Sequence, residues 1–191
     1  MSVVVGVRKN NQVVLAADTL TSAGGQAHRG SERPTFSKLV ELPGGGQVGT
    51  VGSATGYLVL RSLVRNHAEL LDFTGVDNTF EALLALQPIL RETYFVRAEE
   101  SQDGQEYDSN QLQMLIASPH GLFHAHTYRE VHEYGRFFAI GSGDELALGA
   151  MHVLYDRLED PEAIAYAAVE AACHWSTGCA PPIEVRTVPL G

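Results

Sequence analysis

Two valine-rich runs open the chain, Val3-Val4-Val5 with Val7 and then Val13-Val14-Leu15, and they flank the polar stretch Lys9-Asn10-Asn11. Stiff β-branched side chains favour extended backbone, so residues 1–18 predict an antiparallel hairpin. How that hairpin closes decides what faces what, because a one-residue slip moves every side chain to the opposite face. A three-residue loop at Lys9-Asn10-Asn11 sets Ser2 opposite Asp18, Val4 opposite Ala16 and Gly6 opposite Val14. A two-residue turn at Asn10-Asn11 moves Asp18 to the other face. The three-residue loop is the expected one, and its face of small residues leaves room for a substrate chain.

Beyond this hairpin the chain falls into blocks. A second hairpin is expected over 38–52, turning at Gly44-Gly45-Gly46, and the Gly-, Ser- and Thr-rich stretch 20–37 reads as a long functional loop. From Thr55 the period becomes helical, with Leu60, Leu63, Val64, His67 and Leu71 in phase, and a second helix is expected over 79–98, kinked or split at Pro88. Residues 101–111 read as an exposed connector. A hairpin over 112–117 and 122–127 and a strand at 137–140 follow. Ser142 and Glu145 have capping-box spacing, which predicts a helix over 143–158. Asp160-Pro161-Glu162 supplies an N-cap, a first-turn proline and an acid, so a last helix runs to about His174 before a closing strand at 184–188. Strand and helix blocks that are segregated in this way specify α+β layers, not an alternating parallel fold.

At 191 residues the chain suits one domain, 1–191, with a full core. Its 19% charged residues fall below the roughly 25% of ordinary soluble proteins, so part of the surface is expected to face other protein. A net charge of -10 leaves no basic patch for nucleic acid or an anionic membrane. No apolar run approaches the roughly 18 residues that span a bilayer, nothing resembles a signal peptide, and the expected location is cytoplasmic. Cys173 and Cys179 are read as free thiols. His124 and His126 share a strand face without a third ligand, so neither a metal nor a cofactor is assigned.

Ser2 is the candidate nucleophile. Removing Met1 would leave a hydroxyl and a free α-amine on one residue, and an amine with a pKa of roughly 7.7 to 8.0 is placed to act as a general base.

Ser2-Val3-Val4-Val5-Gly6-Val7 followed by Val13-Val14-Leu15-Ala16-Ala17-Asp18-Thr19 resembles the opening of proteasome β subunits and of HslV. Ser37-Lys38-Leu39-Val40-Glu41-Leu42, Gly49-Thr50-Val51-Gly52-Ser53-Ala54 and Ile140-Gly141-Ser142-Gly143 continue the likeness in the same order, over nearly the whole chain. The resemblance is to N-terminal-nucleophile (Ntn) hydrolases, and within them to HslV and the bacterial proteasome homologues. It implies a four-layer αββα sandwich of two antiparallel sheets flanked by helices.

By the same resemblance Ser2 stands at the nucleophile and Lys38 at the active-site lysine, with Asp18 pairing it. The Gly52 amide stands at the oxyanion hole, and Ser142 and Ser176 near the nucleophile's amine. Thr21 and Ser22 stand where an extended peptide is held, with Phe36, Thr50 and Ala54 around the side chain before the cut bond. Three departures accompany the likeness. Serine replaces the usual threonine, the loop between Asp18 and Lys38 is longer, and Cys173 stands where the pattern has an aspartate. The implied protein is a self-compartmentalising threonine/serine-type peptidase, a homo-oligomer of stacked rings that degrades peptides or unfolded protein and can be fed by an ATPase unfoldase. An inactive ring-forming scaffold and a small-molecule amidase on the same fold are the alternatives.

Overall fold

The computed structural model describes residues 2–23, 26–33, 35–97 and 107–191. The first hairpin is β1 (Val4–Lys9) with β2 (Gln12–Asp18), followed by a small ribbon, β3 (Thr21–Ala23) with β4 (Gln26–His28). Next come β5 (Leu39–Glu41), β6 (Gln47–Val51) and the helices α1 (Ala54–Asn66) and α2 (Val76–Glu92). Strands β7 (Gln113–Ser118), β8 (Gly121–Ala125), β9 (Val131–Tyr134) and β10 (Phe137–Ile140) lead to α3 (Asp144–Leu154), α4 (Pro161–Trp175) and β11 (Ile183–Pro189).

Two antiparallel sheets result, ordered β10-β1-β2-β11 and β5-β6-β7-β8-β9. Alternation along β1 shows how they stack. Val3, Val5 and Val7 pack with Met151, Ile164 and Val169 of α3 and α4, whereas Val4 packs with Leu115, Leu122 and Ile140 between the sheets. A third cluster sets Leu60, Leu63, Leu83 and Leu90 of α1 and α2 on Met114, Ile116 and Phe123. The layers are therefore αββα, the expected sandwich, and each fully buried Val, Leu or Phe contributes about 1.5–3 kcal/mol.

The register of the first hairpin differs from expectation. Val4 pairs with Ala17, Val5 with Ala16 and Lys9 with Gln12, so Asn10 and Asn11 alone make the turn. Both are left-handed, at φ 53° and 58°, as a type I′ turn requires, and asparagine tolerates that conformation. Asp18 therefore stands beside Val3, to whose carbonyl its amide donates at 3.3 Å, and not opposite Ser2.

Other differences have local causes. The loop 20–37 contains the β3–β4 ribbon. Pro88 lies inside an unbroken α2, whose last residue is Glu92. The predicted continuation to 98 ends on a residue outside the described ones, as does most of the predicted 101–111 connector. α1 stops at Asn66, with His67 at φ -141°, so His67 and Leu71 lie beyond it. β9 carries His132 and Glu133 among its four residues, too little apolar alternation to signal a strand. α4 has the expected cap, with the Glu162 amide donating to Asp160 Oδ1 at 3.0 Å. The capping box of α3 does not form: its N-cap is Gly143, which has no side chain, and the Glu145 amide donates to Asp144 Oδ1 at 2.7 Å and not to Ser142.

Candidate active site

The ends of β1, β2 and β5 and the turn after β10 converge at one end of the sandwich. Asp18, the last residue of β2, is fully buried. Its Oδ1 accepts from Lys38 Nζ at 2.5 Å and from the Val3 amide at 2.9 Å, while Oδ2 accepts from the amides of Leu20 at 3.1 Å and Ala180 at 3.2 Å. Four donors saturate the carboxylate, which has about four lone-pair sites. Lys38 precedes β5 on the other sheet and is 3% exposed. Burial pushes its ammonium below the ordinary lysine pKa, while the Asp18 charge and hydrogen bond pull it back.

Ser2 is 5% exposed. Its backbone nitrogen donates to Ser142 Oγ at 3.1 Å, and its carbonyl accepts from the Gly143 amide at 3.2 Å. The Ser142 hydroxyl, predicted to cap α3, is turned to Ser2 instead. Gly141 makes that approach possible. Its φ is +102°, and a Cβ there would lie 2.4 Å from the Ser2 carbonyl oxygen.

A cleft of about 250 Å³ opens beside these groups. Ser2, Lys38 and Gly52 line it, as do all five substrate candidates, Thr21, Ser22, Phe36, Thr50 and Ala54. Gly52, at φ +97°, follows the end of β6 and precedes Ser53, whose Oγ caps α1 by accepting from the Thr55 amide at 3.2 Å. Asp18 sits behind Lys38 and does not line the cleft. Ser176 is not brought to it either. It ends α4, where its Oγ accepts from the Gly178 amide at 3.2 Å.

No protein-family sequence model matches the chain. No curated protein sequence matches it. Solved structures do. The bacterial proteasome homologue (BPH) of Thiobacillus denitrificans is 30% identical over 99% of this chain and 98% of its own, with a TM-score of 0.89. In complex with epoxomicin the same protein gives 30%, 99% of both chains and 0.88. The chain belongs to the proteasome/HslV-like peptidase family. HslV from Trypanosoma brucei, 19% identical over 98% of this chain and 99% of its own, shares the fold at a TM-score of 0.71.

Cys173, which the resemblance sets where an aspartate is expected, lies half-buried on α4 and does not line the cleft. Burial first, and then the Asp18 charge, push its thiol up to about 12, so at neutral pH it is protonated and supplies none of the negative charge an aspartate would. Cys179, also free, is buried, and a Cβ on Gly143 would meet its Sγ at 2.8 Å, which seats the thiol against the turn that holds Ser2. His124 is likewise apart from the cleft. Its ring lies tilted against Phe138 at 4.8 Å, and the His126 ring, 6.0 Å away, lies just beyond the end of β8. Among the described residues no group of three His, Cys, Asp or Glu could hold a metal ion, and no helix is long and apolar enough to cross a membrane.

Two groups at this site escaped the sequence reading. The Ala180 amide on Asp18 carries no sequence signal. Tyr57 lines the cleft, but three residues before Leu60 it reads as one more core position of an amphipathic helix.

Proposed function

We propose that this chain is the subunit of a self-compartmentalising serine-type peptidase whose nucleophile is Ser2 after Met1 is removed. The observation that carries this reading is a single cleft lined by Ser2, Lys38 and Gly52, with Asp18 saturated and buried behind the lysine. Ser2 Oγ attacks the peptide carbonyl, and its proton passes to the Ser2 α-amine directly or through a water. The Gly52 amide donates to the oxyanion, a contribution of about 2.7–4 kcal/mol in such sites. The amine then protonates the leaving nitrogen, and water hydrolyses the acyl-serine ester. Lys38 lowers the pKa of the hydroxyl and amine by its charge. Ser142, hydrogen-bonded to the Ser2 nitrogen, orients the amine that cleavage of Met1 creates. Ser176 acts at a distance, through the turn that places Cys179. Thr21 and Ser22 hold an extended peptide by backbone pairing.

Stacked homo-oligomeric rings in the cytoplasm, fed by an ATPase unfoldase, complete the proposal. Large apolar side chains in the open, among them Leu58 at 59%, Phe95 at 80% and Trp175 at 75% exposure, support burial between subunits. The relative bound to epoxomicin suggests the test. Intact-mass spectrometry after incubation with epoxomicin or a β-lactone is expected to show a subunit lacking Met1 and carrying one inhibitor, with no adduct on Ser2→Ala. Cys173 in place of a carboxylate favours the inactive scaffold instead, and a subunit that keeps Met1 and takes no inhibitor would establish it.

A further inference from the structure

We propose that Tyr57 sets the depth of the pocket for the residue preceding the scissile bond, and so restricts cleavage to small and medium apolar residues there. This rests on the peptidase reading above. Tyr57 lies in the first turns of α1 and lines two hollows at once, the 250 Å³ cleft with Ser2 and Lys38, and an adjoining hollow of about 410 Å³ that reaches Leu39, Glu41 and Arg61. Among the described residues it is the one lining residue the two share, which makes its side chain the partition between them in this proposal.

Contacts at edge, face and tip hold that partition in place. Phe36 meets the ring edge-to-face at 5.3 Å, and the Arg61 guanidinium lies over it at 5.4 Å. The Tyr57 hydroxyl donates to the Thr35 carbonyl at 2.9 Å and accepts from Arg61 Nη1 at 3.0 Å. A long side chain entering the cleft would have to displace a 6%-exposed ring and break both hydrogen bonds.

Charge points the same way. Among the described residues no carboxylate lines the cleft, Lys38 does, and the Arg33 guanidinium lies 4.3 Å over the Phe36 ring. A lysine or arginine side chain would find Lys38 and no carboxylate partner on that lining. Glu41 lies beyond Tyr57, in the second hollow. Shortening Tyr57 joins the hollows into a deeper pocket with a carboxylate within reach.

The test is a set of peptide epoxyketones that differ only in the residue next to the epoxide, Ala, Leu, Trp or Lys, with the rate of Ser2 modification read by intact mass. Wild type is expected to react with the Leu probe at least about tenfold faster than with the Trp or Lys probes. Tyr57→Phe is expected to keep that order, whereas Tyr57→Leu and Tyr57→Ala narrow or invert it. Equal rates for Leu, Trp and Lys in wild type overturn the proposal without recourse to a variant. So does an unchanged order in Tyr57→Leu that assembles as wild type does. If no probe modifies wild-type Ser2, the peptidase reading itself falls.

Discussion

Lys38 Nζ lies 2.5 Å from Asp18 Oδ1, and neither side chain is more than 4% exposed. The two partners are not equivalent, because Asp18 also holds three backbone amides. Asp18→Asn leaves a buried ammonium unpaired and replaces an acceptor with an NH2 facing donors, so a loss of about 3–5 kcal/mol is expected in urea unfolding. Lys38→Met leaves Asp18 with its amides and is expected to cost less while abolishing inhibitor labelling. Equal stability of the two variants would contradict this asymmetry.

Lys38 also makes a signed contribution to pH dependence. Its pKa in the folded protein lies below the value of 10.5 it has when exposed. Between those two values the unfolded chain binds a proton that the folded one does not, so stability rises with pH across that window. Lys38→Met is expected to lack this rise when unfolding free energy is measured through the alkaline range.

His124 gives an acid counterpart. Burial, with smaller contributions from His126 and His132 against Glu130, pushes its pKa from 6.5 to about 4. The unfolded chain takes up a proton first as pH falls, so stability is lost from about pH 6.5 down to about 4, by roughly 3 kcal/mol in total. Thermal unfolding of His124→Phe over that range is expected to be flatter than wild type by about this amount.

Ser142 separates a helix cap from a site residue. Its hydroxyl bonds Ser2 and leaves the Glu145 amide of α3 to Asp144 Oδ1. Glu145→Ala is therefore expected to change stability by less than about 0.5 kcal/mol, where breaking a capping box would cost about 1 kcal/mol. Ser142→Ala is expected to slow inhibitor labelling about tenfold or more while α3 stays formed by circular dichroism.

Gly141 and Gly52 have similar backbones and different surroundings. A Cβ at Gly52 meets nothing within 4 Å, so Gly52→Ala carries backbone strain alone, about 1–3 kcal/mol. At Gly141 the Cβ would fall on the Ser2 carbonyl. Gly141→Ala is expected to lose more stability than Gly52→Ala and to displace Ser2, with loss of labelling.

The sequence by itself determined the layers and the neighbourhood of the site. β-branched runs, helical spacing around Leu60 and Leu63, and the Asp160-Pro161 start of α4 depend on residues a few positions apart, where periodicity and capping chemistry act. The resemblance carried by residues 2–19, 37–42, 49–54 and 140–143 grouped Ser2, Lys38 and Gly52, which the fold places around one cleft, with Asp18 behind Lys38 and Ser142 on the Ser2 nitrogen. Tertiary structure decided the rest. Two left-handed asparagines set the register and put Asp18 beside Val3, a choice the Asn10-Asn11 pair permits but does not impose. The Ser142 hydroxyl had two possible uses, and Ser2, 140 positions away, took it from the local cap. Tyr57 reads as core from its spacing, and its place between two hollows exists only once α1 packs beside Phe36 and Thr35. Local pattern sets which face of an element is buried; which groups then meet depends on how whole layers pack, and no short window of sequence contains that.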